Sequence, residues 1–156
     1  MLSSHQKAPD FSGTNQDGRQ VNLSQFLGKQ NVVLYFYPKD DTPGCTIEAN
    51  QFTGLAPAFS ALDTLVIGVS KDTCESHLAF IDKYALKLDL LSDASGEICK
   101  LYDTWQEKER NGEKKMGIVR ATFVIDKKGM LALAQYGVTA EGHAESILEF
   151  VKNMEK

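Results

Sequence analysis

The 156 residues are 42% hydrophobic and 24% charged, a globular composition that fits a single domain, 1–156, around one core rather than a disordered or fibrous chain. A net charge of −4, with no Lys/Arg block, excludes the basic stripe that nucleic-acid phosphates need. Residues 1–6 carry neither a charged n-region nor an apolar h-region, and no apolar run approaches the ~20 residues of a membrane span, so the expected location is the cytoplasm.

From the N-terminus, the Asp17-Gly18 turn separates a short segment at 10–12 from a strand at 19–22, which predicts a hairpin. Residues 31–37, Asn-Val-Val-Leu-Tyr-Phe-Tyr, form an unbroken β-branched and aromatic run stopped by Pro38. A strand covered on both faces has this pattern. Residues 64–70 match it, and 88–92 form a weaker third candidate.

Helical spacing fills the gaps between strands. Cys45, Ala49, Phe52, Ala56 and Phe59 recur every three or four positions, and Pro57 should end that helix near Ala56. A second helix is expected over 72–84 with Leu78 and Ile81 inward, and a short third over 97–102. The charged stretch between Tyr102 and Met116 reads as a solvated loop, with a redox-partner surface as the alternative. Strands at 118–125 and 130–136 should form a hairpin across 126–129. An amphipathic C-terminal helix follows, with Ala144, Ile147, Leu148, Val151 and Met154 on one side. Parallel crossovers with an antiparallel edge predict an α/β protein with a central mixed sheet flanked by helices.

Three cysteines, Cys45, Cys74 and Cys99, are too few and too widely spaced for a disulfide scaffold or a structural zinc site. The informative segment is Tyr37-Pro-Lys-Asp-Asp-Thr-Pro-Gly-Cys45-Thr-Ile-Glu48. Thr42 suits a helix N-cap and Pro43 the first helical position, which sets Cys45 in a first turn at the ligand-binding edge of an open sheet. Unpaired backbone N–H groups favour the thiolate there. These residues alone leave two readings open: a reactive thiolate, or a small side chain packing the helix start.

Pro38-x-x-x-Thr42-x-x-Cys45 resembles the peroxiredoxin signature. The continuation Cys45-Thr46-x-Glu48-Ala49-x-x-Phe52 is similar to the bacterioferritin comigratory protein, or Q-type, subfamily. The similarity continues through 66–70, Ser76-His77-x-x-Phe80, 91–93 and Arg120-x-Thr122-Phe-Val-Ile-Asp126-x-x-Gly129, covering nearly the whole chain in order.

The resemblance implies a thioredoxin-like fold and a thiol peroxidase acting on hydrogen peroxide and organic hydroperoxides, without metal, haem, flavin or selenium. It implies that Cys45 attacks peroxide and becomes a sulfenic acid, that Thr42 orients the reacting groups, and that Arg120 stabilises the developing charge. Pro38 would shield the thiolate, and Glu48 would hold Arg120 through a bidentate contact. Thioredoxin or a similar dithiol would return the enzyme to its reduced state, and a monomer is expected.

The chain departs from the subfamily's commonest pattern at Asn50, where many members carry a resolving cysteine. Another version places it at a position matching Ile81. Cys74 is the favoured resolver here, and an external thiol is the alternative. Cys99, among apolar neighbours, reads as an inert core thiol. His77 is expected to cap or pack its helix, and His5 and His143 have no ligand-spaced partners. Two rival functions remain: a disulfide oxidoreductase, disfavoured because Thr42-x-x-Cys45 lacks a second sulfur, and a non-enzymatic redox sensor.

Overall fold

The structure, a computed structural model, describes residues 1–154. Its spine is β3 (Asn31–Phe36), the unbroken apolar run of the sequence, buried at every position. Alternation sends Val32, Leu34 and Phe36 into one core and Val33, Tyr35 and Tyr37 into another, as the period-2 pleat requires. β4 (Thr64–Ser70) and β5 (Asp89–Ser92) extend the sheet in parallel. On the other side, β8 (Ala121–Ile125) and β9 (Leu131–Tyr136) are antiparallel.

The N-terminal hairpin forms as β1 (Ser12–Thr14) and β2 (Gln20–Asn22), with its first strand two residues later than expected. The hairpin joins the sheet edge through Thr14 and Ser92, which gives the order β2-β1-β5-β4-β3-β8-β9. This is the expected mixed sheet, covered by a core on each face.

Helices α1 (Pro43–Gly54) and α2 (Ala56–Ala61) break at Leu55, just before Pro57. Phe52 of α1 stacks on Tyr35 with ring centroids 4.8 Å apart, fixing the helix over the strand that precedes it. α3 (Cys74–Tyr84) begins at a Thr73 cap that accepts the Ser76 N–H at 3.0 Å. α4 (Glu97–Leu101) and α5 (His143–Met154) complete the set. Along α5, Ala144, Ile147, Leu148 and Val151 are buried as expected, with Met154 packed partly buried against them.

Three expectations need correcting. Leu78 is exposed, and the inward positions of α3 are His77 and Phe80, with Ile81 packed beside them. The buried polar partner of His77 lies 37 residues upstream, so local apolar spacing misplaced the face. The charged stretch is not a loop: β6 (Trp105–Arg110) and β7 (Glu113–Ile118) pair as a separate hairpin. Its turn, Asn111-Gly112, has φ of 53° and 80°, the left-handed pair that this dipeptide favours in a tight hairpin. Finally, the expected strand at 118–125 divides, because Ile118 ends β7 and β8 starts only at Ala121.

Among the described residues, no helix is long and apolar enough to cross a membrane.

Candidate active site

β3 runs out at the edge where the parallel strands end, and the chain turns through 37–42 into α1. Thr42 takes the N-cap position in extended conformation, and Pro43 opens the helix. The Thr42 hydroxyl does not cap the helix as expected: it donates to the Lys39 carbonyl at 2.8 Å, bracing the loop instead. Cys45 lies in the first turn, 2% exposed, and belongs to the core beneath α1 and α5. Pro38 stands exposed on the loop.

Arg120 comes to Cys45 from the link between β7 and β8 rather than from within a strand. Its backbone is pinned because its carbonyl accepts the N–H groups of Gly137 at 2.8 Å and Val138 at 3.1 Å. Nη2 then donates to Cys45 Sγ at 3.4 Å, and Nη1 donates to Glu48 Oε1 at 2.6 Å. A Cβ at position 44 would come within 3.1 Å of Nη2, so the guanidinium's approach depends on Gly44.

The Glu48 contact is single, not bidentate: Oε2 is buried without a hydrogen-bond partner. Burial pushes the carboxyl up to about 7, against the opposing pull of Arg120's charge and hydrogen bond. At Arg120 the balance reverses. Burial lowers its pKa, but Glu48 and Cys45 together leave it raised. The two directions agree with exposure: the carboxyl side chain is 0% exposed and the guanidinium 17%, so desolvation weighs more on the acid.

Two neighbours escaped the sequence reading. His143, almost buried at the start of α5, hydrogen-bonds Thr122 Oγ1 at 2.8 Å, and burial followed by the charge of Arg120 lowers its pKa. Lys108 of β6 places its ammonium on the Ile118 carbonyl, two residues before Arg120. Its pKa is lowered by burial and by Arg120, while Cys45 raises it. Only the Asn111-Gly112 turn signal could have predicted this lysine's placement.

The other cysteines differ from Cys45 and from each other. Cys99 is fully buried in the core on the opposite face of the sheet from Cys45. Burial, then Asp93, pushes its thiol up to about 12, which disfavours nucleophilic thiolate. Cys74 is partly exposed as the first residue of α3. All three are free thiols.

Between the starts of α1 and α3 lies a polar knot around Asp40. Its carboxylate accepts from Tyr37 OH and from Ser76 Oγ at 2.8 Å, and His77 Nδ1 lies 2.7 Å away. The Asp40 N–H donates to Asp72 Oδ2 at 2.8 Å, and the same oxygen accepts from Ser70 Oγ at 2.7 Å. Asp40, Asp72 and His77 bring metal-ligand atoms within 4.8 Å of one another, but neighbouring donors and acceptors already occupy these groups.

A groove of about 670 Å³ is lined by His5, Asn31, Lys127 and Met130, among others, at the far end of β3 from Cys45.

At this helix start a guanidinium lies 3.4 Å from the thiol sulfur and is held by a buried carboxyl, an arrangement suited to thiolate chemistry. The chain belongs to the AhpC/TSA family, whose pattern matches residues 5–134, and is a peroxiredoxin of the Bcp kind. It is 42% identical over 149 residues to peroxiredoxin Bcp of Bacillus subtilis, covering 96% of this chain and 94% of that one. With peroxiredoxin Bcp of Escherichia coli it shares 37% over 145 residues, 93% and 92% of the two chains. The bacterioferritin comigratory protein of Xanthomonas campestris, studied for alkyl peroxide reduction through trapped-intermediate and ligand complexes, superimposes with a TM-score of 0.89. That match is 34% identical and covers 94% of this chain and 92% of that one. These matches establish the thioredoxin-like fold expected from the sequence.

Proposed function

We propose that Cys45 is the peroxidatic nucleophile in the reduction of hydrogen peroxide and organic hydroperoxides. Its thiolate attacks the terminal peroxide oxygen, the S–O bond forms as the O–O bond breaks, and the departing oxygen is protonated to water or alcohol. Arg120 stabilises the thiolate and the charge moving onto the leaving oxygen. The observation carrying this reading is the single guanidinium that donates to both Cys45 Sγ and Glu48 Oε1. Glu48 fixes the guanidinium. Thr42, whose hydroxyl donates to the Lys39 carbonyl, orients the reacting groups, and the exposed Pro38 forms part of the entry loop.

Cys74 attacks the resulting sulfenyl sulfur, giving a disulfide and water, and thioredoxin or a similar dithiol supplies the two electrons that reopen it. Support for Cys74 comes from its partial exposure at the start of the helix nearest the loop, and from the location of Cys99 across the sheet. The enzyme acts as a cytoplasmic monomer.

The test is peroxide-dependent NADPH oxidation in the presence of thioredoxin and thioredoxin reductase, with mass-spectrometric mapping of the oxidised protein. Turnover should vanish in Cys45→Ser and survive in Cys99→Ser, and a Cys45–Cys74 peptide should accumulate. Stoichiometric rather than catalytic peroxide consumption would overturn the enzymatic reading in favour of a sensor.

A further inference from the structure

The knot around Asp40 connects the two helix starts that carry Cys45 and Cys74. His77 is fully buried, and both of its ring nitrogens are engaged. Nε2 lies 3.0 Å from the Leu91 carbonyl, which only accepts, so Nε2 carries hydrogen. Nδ1 faces the Asp40 carboxylate at 2.7 Å, a contact that also needs a proton between the two atoms. The ring and the carboxylate therefore share a proton inside the protein, and Tyr37 and Ser76 add two further donors to the same carboxylate. Charge-assisted bonds in a buried setting are the strong members of their class.

The direction of these bonds gives them their role. Asp40 and Asp41 lie just before Thr42. Asp40 grips the first turn of α3 through Ser76 and His77, and Asp41 reaches its last turn, accepting from Lys83 Nζ at 2.7 Å and Tyr84 OH at 2.6 Å. The second grip is exposed and correspondingly weaker. Together they dock the loop along the whole of α3.

Docking matters because the two sulfurs begin at different helix starts. Cys45 is enclosed and faces Arg120, whereas Cys74 occupies the first position of α3. A disulfide needs Cα atoms within about 7 Å and a defined Cβ geometry, and the enclosed Cys45 sulfur lies against Arg120 rather than at the surface.

We propose that Asp40 and His77 are positioning residues that keep the loop before α1 docked on α3, holding Cys45 in its peroxide-reactive setting and delaying disulfide closure with Cys74. The delay rests on the resolving role given to Cys74. In the closing step, the Cys74 thiolate attacks the Cys45 sulfenyl sulfur. The S–S bond forms, the S–O bond breaks, and the departing hydroxide takes a proton to become water. No external oxidant is needed. Neither Asp40 nor His77 touches the peroxide.

The test uses Ser76→Ala, which removes one donor, and His77→Asn, which removes the shared proton and the Leu91 contact. Stopped-flow kinetics separates the peroxide-dependent first step from the peroxide-independent disulfide step. Hydrogen exchange follows the amides of 39–45 and 74–78.

Disulfide closure and amide exchange should both quicken about tenfold in Ser76→Ala and more in His77→Asn, as expected for losing hydrogen bonds to a carboxylate. The yield of sulfinic acid at high peroxide should fall, because the sulfenic acid is captured sooner. In Ser76→Ala the first step should change by less than about threefold, roughly the effect of one neutral donor lost away from the reacting atoms.

Exchange and closure rates within twofold of the parent in both variants, with unchanged far-UV circular dichroism, would overturn the proposal. If exchange quickens but the parent forms no Cys45–Cys74 bridge, the docking role stands and the Cys74 reading falls. If the bridge forms but exchange is indifferent to both variants, Cys74 stands and the docking role falls. Ser76→Ala keeps the test decisive even if His77→Asn fails to fold.

Discussion

Replacing Glu48 by Gln should change how folding stability depends on pH. Burial raises the carboxyl from 4.5 to about 7. Below about pH 4.5 the folded and unfolded chains both hold the proton, and Glu48 contributes no pH dependence. Between 4.5 and 7 the unfolded chain releases it while the folded chain retains it, so stability falls as pH rises. The loss levels off above 7 at about 3 kcal/mol, the free-energy equivalent of that displacement. Glutamine has nothing to titrate and should remove this component. The assay is urea denaturation of reduced parent and Glu48→Gln at pH 5 and pH 8, comparing the two pH differences so that other titrating groups cancel. The parent should lose about 2.5 kcal/mol more than the variant between these pH values, because about 0.8 kcal/mol is already lost at pH 5. Equal losses to within about 0.5 kcal/mol would refute the assignment of a buried, half-paired carboxyl, since the linkage relation allows no other result.

Arg120→Lys keeps a charge but cannot reach Cys45 and Glu48 with one planar fork, and kcat/KM for hydrogen peroxide should fall about 10²- to 10³-fold; parent-like steady-state kinetics would exclude the guanidinium's proposed role. Iodoacetamide at pH 8 should label the partly exposed Cys74 in the folded protein and leave Cys99, whose thiol is pushed up to about 12, for the urea-unfolded protein; peptide mapping that finds Cys99 labelled natively would contradict its burial. Lys108→Met should slow the peroxide reaction about threefold at low ionic strength, the scale of one partly screened charge near the site, and flatten its salt dependence in stopped-flow measurements.

The sequence made β3 and β4 legible because a strand covered on both faces has to be apolar at every position. The helix carrying Cys45 was equally legible from its stripe and from Pro57. Helix α3 shows why a helix can be located while its inward face is misjudged. Leu78 is apolar and His77 is not, so local spacing points Leu78 inward, yet Asp40 compensates the buried imidazole from 37 residues upstream. No periodicity contains that partnership. The hairpin β6–β7 escaped for another reason: its residues alternate charge with charge, and neither face is apolar enough to reveal the pleat. Asn111-Gly112 was the one usable signal. At the site, Cys45 was readable from helix-start physics together with the motif. The approach of Arg120 was implied by resemblance alone, and the unpaired Oε2 of Glu48 is a matter of packing that no motif encodes.

Among the described residues, the β6–β7 hairpin pairs with no other strand and contributes none to the seven-stranded sheet. Its tip at Asn111-Gly112 is therefore a natural splice point. Residues inserted between the two strands lengthen a ribbon without shifting the register of β3 against β8. The hairpin's root supports Lys108 and leads directly to Arg120. An affinity tag or fluorescent reporter grafted at the tip would be carried by the same ribbon that leads to Arg120, making this the place from which to observe the candidate site without altering the core.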